Sequence, residues 1–179
     1  MTMNLIHQIK WNHIYSGEAY LYGTELRLTK EGVTFDNPRI ASGKRLVQFQ
    51  SRTNYQGNRH SPSLPLLVPG QKYIVRTTIS SEPQGRFFLE FNYFNRQGKK
   101  IAFDILRDQE GEIDYPEEAF TYTITLRSAG CASLVFEEIS IYSLNTSNSV
   151  KLSNPSEKRY TEKQLPDELQ LVKNLIKII

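Results

Sequence analysis

The sequence predicts an all-β protein built as an antiparallel sandwich or barrel, and three observations support this. Several segments alternate apolar and polar residues with a period of two, which is typical of half-buried strands. Turn signals rich in glycine, proline and aspartate separate them, namely KEGV, VPGQ, EPQG, NRQGK and DQEGE. No convincing helical pattern occurs before residue 150. Short strands with regularly spaced turns favour a sandwich or a barrel.

The clearest strands are predicted over residues 86–94 and 120–126. Residues 20–28 and 73–79 follow the same alternation less cleanly. The aromatic and β-branched content of these segments is typical of strands. In the first strand one face carries Phe87, Leu89, Phe91 and Tyr93, and the other carries Phe88, Glu90, Asn92 and Phe94. In the second strand the side chains expected to point inward are Phe120, Tyr122, Ile124 and Leu126.

A further strand, over residues 134–142, contains a break in its alternation. Leu134 and Phe136 are in phase, and the apolar positions then shift to Ile139 and Ile141. One extra residue in a strand produces such a shift, so we expect a β-bulge at Glu137-Glu138.

The composition changes after the last predicted strand. We predict a β-sandwich domain over residues 1–144, a polar linker over 145–164 and a C-terminal amphipathic helix over 165–179. Pro166 and Asp167 suit the first turn of a helix. A helix of this length is marginal alone, so we expect its apolar stripe to dock on the body or on a partner. The docking residues are Leu169, Val172, Leu175 and Ile176.

The charge and the apolar content of the chain limit its possible partners and location. The net charge of +3 forms no clustered basic stripe, so nucleic acid is not an expected partner. The first residues contain no apolar stretch typical of a secretory signal, and no run approaches the length of a membrane span. We therefore expect a cytoplasmic protein. The single cysteine, Cys131, excludes an internal disulfide.

The chemistry of the side chains gives little support for catalysis or for a metal site. His7, His13 and His60 are far apart in sequence, and no spacing typical of a zinc site occurs. Cys131 has no local base or cation to activate it. The acidic segment DQEGEIDYPEE is typical of a solvated loop rather than of paired catalytic carboxylates. We expect no enzyme and no cofactor, while a surface calcium site stays open.

Binding is the remaining function that the residues favour. The stretch SRTNYQGNRH mixes planar and hydrogen-bonding side chains without an acid, a mixture that suits sugars or protein partners. NRQ at 95–97 and Trp11-Asn12 are similar groups. The structural alternative is that Tyr55 covers a sheet edge and that Arg52 pairs with Asp36 or Glu90. The candidate binding residues are Arg52, Asn54, Tyr55, Gln56, Arg59, Asn95 and Arg96.

The same segments, in order, resemble a known family. YLYGTELR, SRTNYQ with PSLPLLVPGQKY, EPQG with FFLEFNYFNRQG, YPEEAFTYTITLRSAGC and LVFEEISIY are similar to the third Asp-type component of the accessory Sec system, where Asp stands for accessory secretory protein. The resemblance runs from about Trp11 to Tyr142. The tail beyond Leu144 carries no matching motif.

The resemblance implies a fold and a role. The fold would be a jelly-roll β-sandwich similar to carbohydrate-binding modules, in agreement with the strand pattern. The role would be that of a non-catalytic, chaperone-like component of adhesin export. Its partners would be two sibling accessory secretory proteins, a dedicated SecA-like ATPase, and a serine-rich-repeat adhesin with or without its glycans. Membrane contact would be indirect, through the translocon.

Two other functions stay open from the sequence. A stand-alone carbohydrate-binding module would bind a glycan through aromatic side chains, although Trp11 is the only tryptophan. A small hydrolase or isomerase on a sandwich would need a nucleophile and base that the sequence does not show. Since similarity of fold does not establish sugar binding, we rank the export component first.

Overall fold

The computed structural model describes residues 2–15 and 17–145, and these residues form two antiparallel sheets packed face to face. The strands and the one helical turn are β1 (Thr2–Ile9), β2 (Glu25–Leu28), β3 (Val33–Asp36), β4 (Arg45–Gln50), α1 (Tyr55–Asn58), β5 (Lys72–Glu82), β6 (Phe87–Phe94), β7 (Lys100–Leu106), β8 (Glu110–Asp114), β9 (Thr121–Ser128) and β10 (Ser133–Asn145). The predicted all-β sandwich is confirmed.

The strand order explains how distant segments become neighbours. One sheet has the order β2-β3-β10-β5-β8, and β1 also pairs with β10. The other has the order β4-β9-β6-β7. We call these the six-stranded and the four-stranded sheet. The long strand β10 can serve both β3 and β1 because its first part pairs with β3 and its later part with β1.

The core lies between the two sheets and consists of the inward faces that the alternation predicts. The largest fully buried side chains are Tyr73, Tyr93, Tyr122, Phe35, Phe91, Phe136, Ile9, Leu46, Leu89, Ile124, Leu126 and Leu134. In β6 the face that carries Phe87, Leu89, Phe91 and Tyr93 is buried throughout. In the second predicted strand the inward prediction is confirmed for three residues and is wrong for Phe120, whose side chain is 43% exposed.

The predicted bulge in β10 is confirmed. Its register against β5 shifts between Phe136 and Glu138, so that both Phe136 and Ile139 are fully buried. The extra residue lets one strand keep its apolar side chains inward on both sides of the break.

Some sequence predictions differ from the structure or fall outside the described residues. Within 20–28 only β2 forms a strand, because residues 21–24 make a turn closed by the Thr24 amide donating to the Leu21 carbonyl. Most of the predicted linker and the whole predicted helix, with Leu169, Val172, Leu175 and Ile176, lie outside the described residues. The domain boundaries therefore stay predictions. In the described part of the chain, no helix is long and apolar enough to cross a membrane.

Candidate functional site

Three connecting segments meet at one end of the four-stranded sheet. Because β4, β9 and β6 are antiparallel neighbours, the end of β4, the start of β9 and the end of β6 lie side by side. The Phe120 amide donates to the Phe94 carbonyl at 2.8 Å, and the Tyr122 amide donates to Ser51 Oγ at 2.9 Å. These bonds fix the segments that follow β4 and β6 on either side of the segment that precedes β9.

A groove of about 540 Å³ opens between these segments. Its walls come from two of the polar groups that the sequence singles out, the stretch SRTNYQGNRH and NRQ at 95–97, although these are more than 40 residues apart. The lining residues are Arg52, Thr53, Asn54, Asn95, Arg96, Gly98, Phe120 and Thr121. Four of the seven candidate binding residues therefore lie together around Phe120, and we call this site the Phe120 groove.

Both arginines of the groove contact the Phe120 ring. The guanidinium carbon of Arg52 is 5.3 Å from the centre of the Phe120 ring, and that of Arg96 is 5.2 Å from it. Both distances are typical of cation–π contacts, which are worth about 0.5–1 kcal/mol each at exposed sites. Phe120 is 43% exposed, and it lies in the connection directly before β9.

The two arginines of the groove have no carboxylate partner among the described residues. Among the described residues, Arg52 forms no ion pair with Asp36 or Glu90, and Glu90 instead accepts a hydrogen bond from Arg127 at 2.8 Å. The other ion pairs also lie elsewhere. They join Arg27 to Glu25, Lys72 to Glu112 and Asp114, and Arg76 to Glu110. The groove therefore presents positive charge beside an exposed aromatic ring.

The asparagines of the groove shape the loops that carry the arginines. The Asn95 side-chain oxygen accepts from the amides of Gln97 and Lys99 at 3.1 and 3.0 Å. The Asn54 side-chain oxygen accepts from the Gln56 amide at 3.1 Å. Such bonds from a side chain to the backbone stabilise turns. The turn after β6 thereby fixes the position of Arg96, and the bond from Asn54 supports the entry to α1.

The remaining candidates follow the groove in sequence. Tyr55 and Gln56 lie in α1, the single helical turn over Tyr55–Asn58. Arg59 comes next with a φ of 57°, a left-handed conformation that reverses the chain. The Gln56 and Arg59 side chains are exposed and do not line the groove.

The third polar group that the sequence suggested is not an exposed sugar platform. Trp11 is only 4% exposed and packs edge-to-face on Phe136, with ring centres 6.0 Å apart. Asn12 beside it is exposed. The indole ring therefore belongs to the edge of the core.

The side chains that suggest catalysis or metal binding do not form such a site. Cys131 is buried, and its Sγ donates a hydrogen bond to Ser128 Oγ at 3.5 Å. Among residues 2–15 and 17–145, no three His, Cys, Asp or Glu side chains are grouped to hold a metal ion. However, His7, His13 and His60 do line one cavity, together with Glu18. No local pattern in the sequence indicates this, because the residues come from separate segments of the chain.

Comparison with known proteins gives a consistent result. The family model for accessory secretory protein 3 of the accessory Sec secretory system matches residues 19–143. The chain belongs to this family. The accessory Sec system protein of the same type from Streptococcus gordonii is 37% identical over 119 residues, which is 66% of this chain and 75% of that protein.

Two solved structures that are 31% identical to this chain have a similar fold. The structure of accessory secretory protein 1, 2 and 3 from Streptococcus pneumoniae matches with a TM-score of 0.73 and 31% identity, over 77% of this chain and 96% of that chain. The Glycosylation Associate Protein (Gap123) complex from Streptococcus agalactiae matches with a TM-score of 0.72 and 31% identity. That match covers 81% of this chain and 46% of the other. The family match includes every residue of the Phe120 groove.

Proposed function

We propose that this chain is a non-catalytic, chaperone-like component of accessory Sec export. It assembles with two sibling accessory secretory proteins. The assembly helps to deliver a glycosylated serine-rich-repeat adhesin to a dedicated SecA-like ATPase. The protein acts on the cytoplasmic side, and its contact with the membrane is indirect, through the export machinery.

The observation that carries this proposal is the match to relatives solved in assemblies. The Streptococcus pneumoniae structure is of accessory secretory proteins 1, 2 and 3, and the Streptococcus agalactiae structure is a Gap123 complex. Both matches reach a TM-score above 0.7 at 31% identity. A shared fold at this identity supports a shared mode of assembly.

The Phe120 groove has the chemistry of a partner contact. Arginine and aromatic side chains are enriched in protein interfaces, while most other charged residues are depleted there. Arg52 and Arg96 have no carboxylate partner among the described residues, so each can donate to carbonyl or carboxylate groups of a partner. Phe120 already holds both guanidinium groups, which lowers the entropy lost on binding. We propose this groove as the surface that contacts a sibling protein.

The site chemistry also supports a non-catalytic role. In the described part of the chain, the one close pair of histidine and carboxylate is His60 with Glu18, at 3.1 Å. The other ring nitrogen of His60 lies 3.0 Å from the Ser61 carbonyl oxygen. Both ring nitrogens of His60 therefore contact oxygen atoms that are not nucleophiles. Nucleophilic catalysis would need a hydroxyl or thiol group within hydrogen-bond reach of the ring.

The test is co-purification of the tagged chain with its two siblings, followed by an affinity measurement. The native chain should return a complex that contains all three proteins and that slows aggregation of a serine-rich adhesin fragment. The Phe120→Ala variant and the Arg52→Ala/Arg96→Ala variant should bind the siblings about 30-fold more weakly, which corresponds to about 2 kcal/mol for a central interface residue. Both changes remove partly exposed side chains, so the sandwich should stay folded.

The matched control is Arg27→Ala. Arg27 lies on β2 in the six-stranded sheet, and its side chain is 72% exposed with Glu25 as its ion-pair partner. This variant removes one positive charge without touching the groove and should bind like the native chain. A native chain that purifies alone would refute the assembly role, and groove variants with native affinity would refute the groove as the contact.

A further inference from the structure

The four-stranded sheet has one open edge. Strand β7 is its last strand, and among the described residues it pairs only with β6. The opposite edge differs, because the segment before β4 covers it. There the Gln48 amide donates to the Glu18 carbonyl at 3.0 Å, and the Tyr20 amide donates to the Leu46 carbonyl at 2.9 Å. Strand β7 therefore keeps backbone donors and acceptors that no neighbouring strand uses.

Large apolar side chains are exposed along this open edge. Phe103 is 57% exposed and Ile105 is 46% exposed. They occupy alternate positions of β7, so they lie on the same face of the sheet. The half-buried Phe88 of β6 shares that face, because it lies two residues before Glu90, which pairs with Ile105. Strand β7 thus carries an apolar strip beside its unused backbone groups.

Three cations surround the apolar strip. Lys100 Nζ lies 4.8 Å from the centre of the Phe103 ring. Arg86 and Arg107 line a groove of about 390 Å³ beside Ile105. Among the described residues, none of the three forms an ion pair with a carboxylate. We call these three basic side chains and the three apolar ones, Phe88, Phe103 and Ile105, the β7 surface.

The carboxylates of β7 and β6 are already engaged. Asp104 accepts a hydrogen bond from the Tyr93 phenol at 2.7 Å. Glu90 accepts from Asn92 at 2.7 Å and from Arg127 at 2.8 Å. The β7 surface therefore presents positive charge beside apolar side chains, and its electrostatic complement is an acidic partner.

We propose that the β7 surface binds an extended acidic segment of a partner protein, which adds to the sheet as a strand beside β7. Backbone hydrogen bonds from the open edge would hold the segment, and two of its alternate apolar side chains would pack on Phe103 and Ile105. Acidic side chains near its two ends would meet Lys100 and Arg107. The strand between these two cations is about 23 Å long, so the segment needs about seven residues.

The proposal goes beyond the assembly described above, and the observations favour a peptide over other occupants. No residue of the β7 surface lines the Phe120 groove. Two copies of β7 paired antiparallel around Phe103 would place Lys100 of one copy close to Arg107 of the other, and such like charges are destabilising. A lipid surface would contact the apolar and basic side chains, but it would leave the backbone groups of the open edge unused.

The test titrates the full chain with a synthetic peptide of about nine residues, Glu-Glu-Thr-Val-Thr-Ile-Thr-Glu-Glu, in a calorimeter. We expect a dissociation constant on the order of 100 μM. The β7 amides that do not bond to β6 should exchange with solvent at least about tenfold more slowly in the saturated complex. A peptide with lysine in place of each glutamate should bind at least about tenfold more weakly. No saturable binding, equal binding of the lysine peptide, or binding without protection of β7 overturns the proposal.

Two variants and one control locate the binding. Phe103→Thr/Ile105→Thr removes the apolar strip and keeps residues that favour strands, so binding should weaken at least about tenfold while the sheet stays folded. Lys100→Gln/Arg107→Gln should weaken binding by a similar factor and remove most of its dependence on salt. The control is Leu28→Thr, since Leu28 is 47% exposed on the edge strand of the other sheet and should not contact the peptide. Native affinity in both β7 variants would overturn the proposal.

The other occupants and the assembly role are separated by three more measurements. The full chain should sediment as a monomer, and it should not bind vesicles of phosphatidylcholine and phosphatidylglycerol. A dimer or vesicle binding that Phe103→Thr/Ile105→Thr abolishes would overturn the peptide as the occupant. A chain that assembles with its siblings but does not bind the peptide refutes only the β7 surface, and a chain that binds the peptide but purifies alone refutes only the assembly role.

Discussion

Replacing Gly32 with alanine should destabilise the sandwich strongly, because no side chain fits at this position. Gly32 lies in the turn between β2 and β3, directly before the residue that pairs with Phe136 on β10. A Cβ atom there would lie 2.1 Å from the Phe136 carbonyl oxygen and 3.0 Å from the Glu137 Cα. Both of these atoms belong to the backbone, so no side-chain rotation can relieve the clash.

The size of the effect follows from the movement that alanine would require. To reach 3.0 Å, the turn would have to move away from β10 by about 0.9 Å. That movement strains the backbone pairing of Val33 with Phe136. It also exposes Val33 to solvent, although this residue is only 1% exposed in the native chain. Overpacking typically costs about 1–3 kcal/mol, and a weakened backbone hydrogen bond costs roughly 1 kcal/mol more. We expect a loss of about 3 kcal/mol, which lowers the melting temperature by about 10 °C for a domain of this size.

The assay is urea and thermal denaturation followed by circular dichroism, with Gly57→Ala as the control. Gly57 lies in α1, and a Cβ there would meet nothing within 4 Å. Alanine is favoured over glycine in a helical conformation by about 0.5–1 kcal/mol, so the control should be neutral or slightly stabilised. A melting temperature of Gly32→Ala within about 1 °C of that of the native chain corresponds to a change in the free energy of unfolding of less than about 0.5 kcal/mol. Such a result would mean that the close approach of this turn to the β10 bulge is incorrect.

Two further predictions concern polar groups at the four-stranded sheet. Burial alone would raise the pKa of the Glu90 carboxyl, but hydrogen bonds from Asn92 and Arg127 outweigh it and hold the pKa below its usual value. The stabilisation is therefore present above about pH 4.5 and is lost as the pH falls through the folded pKa. Glu90→Gln should cost about 1 kcal/mol at pH 7 and much less near pH 3, in urea denaturation at both values. Tyr93→Phe should cost about 1–2 kcal/mol in the same assay at pH 7, because it removes the 2.7 Å hydrogen bond from the phenol to Asp104.

The interior of the sandwich could be predicted best where one face of a strand is buried along its whole length. In β6 one of the two faces that the alternation separates is buried throughout, and in β10 even the break in the pattern is correctly placed. Strand β1 could not be assigned from the sequence, because seven of its eight residues are exposed and it has no apolar face to detect. Very short strands such as β3, with four residues, also give too few alternations for a prediction.

The candidate sites could be predicted only in part, and the reason is topological. The sequence singled out Arg52 and Arg96 as candidate binding residues, but it contained no indication that β9 separates their strands and places Phe120 beside both. The alternation was extended one residue too far, so the residue in the middle of the groove was assigned to the core. The pairing of Glu18 with His60 was missed because connections contribute both residues and no local pattern relates them.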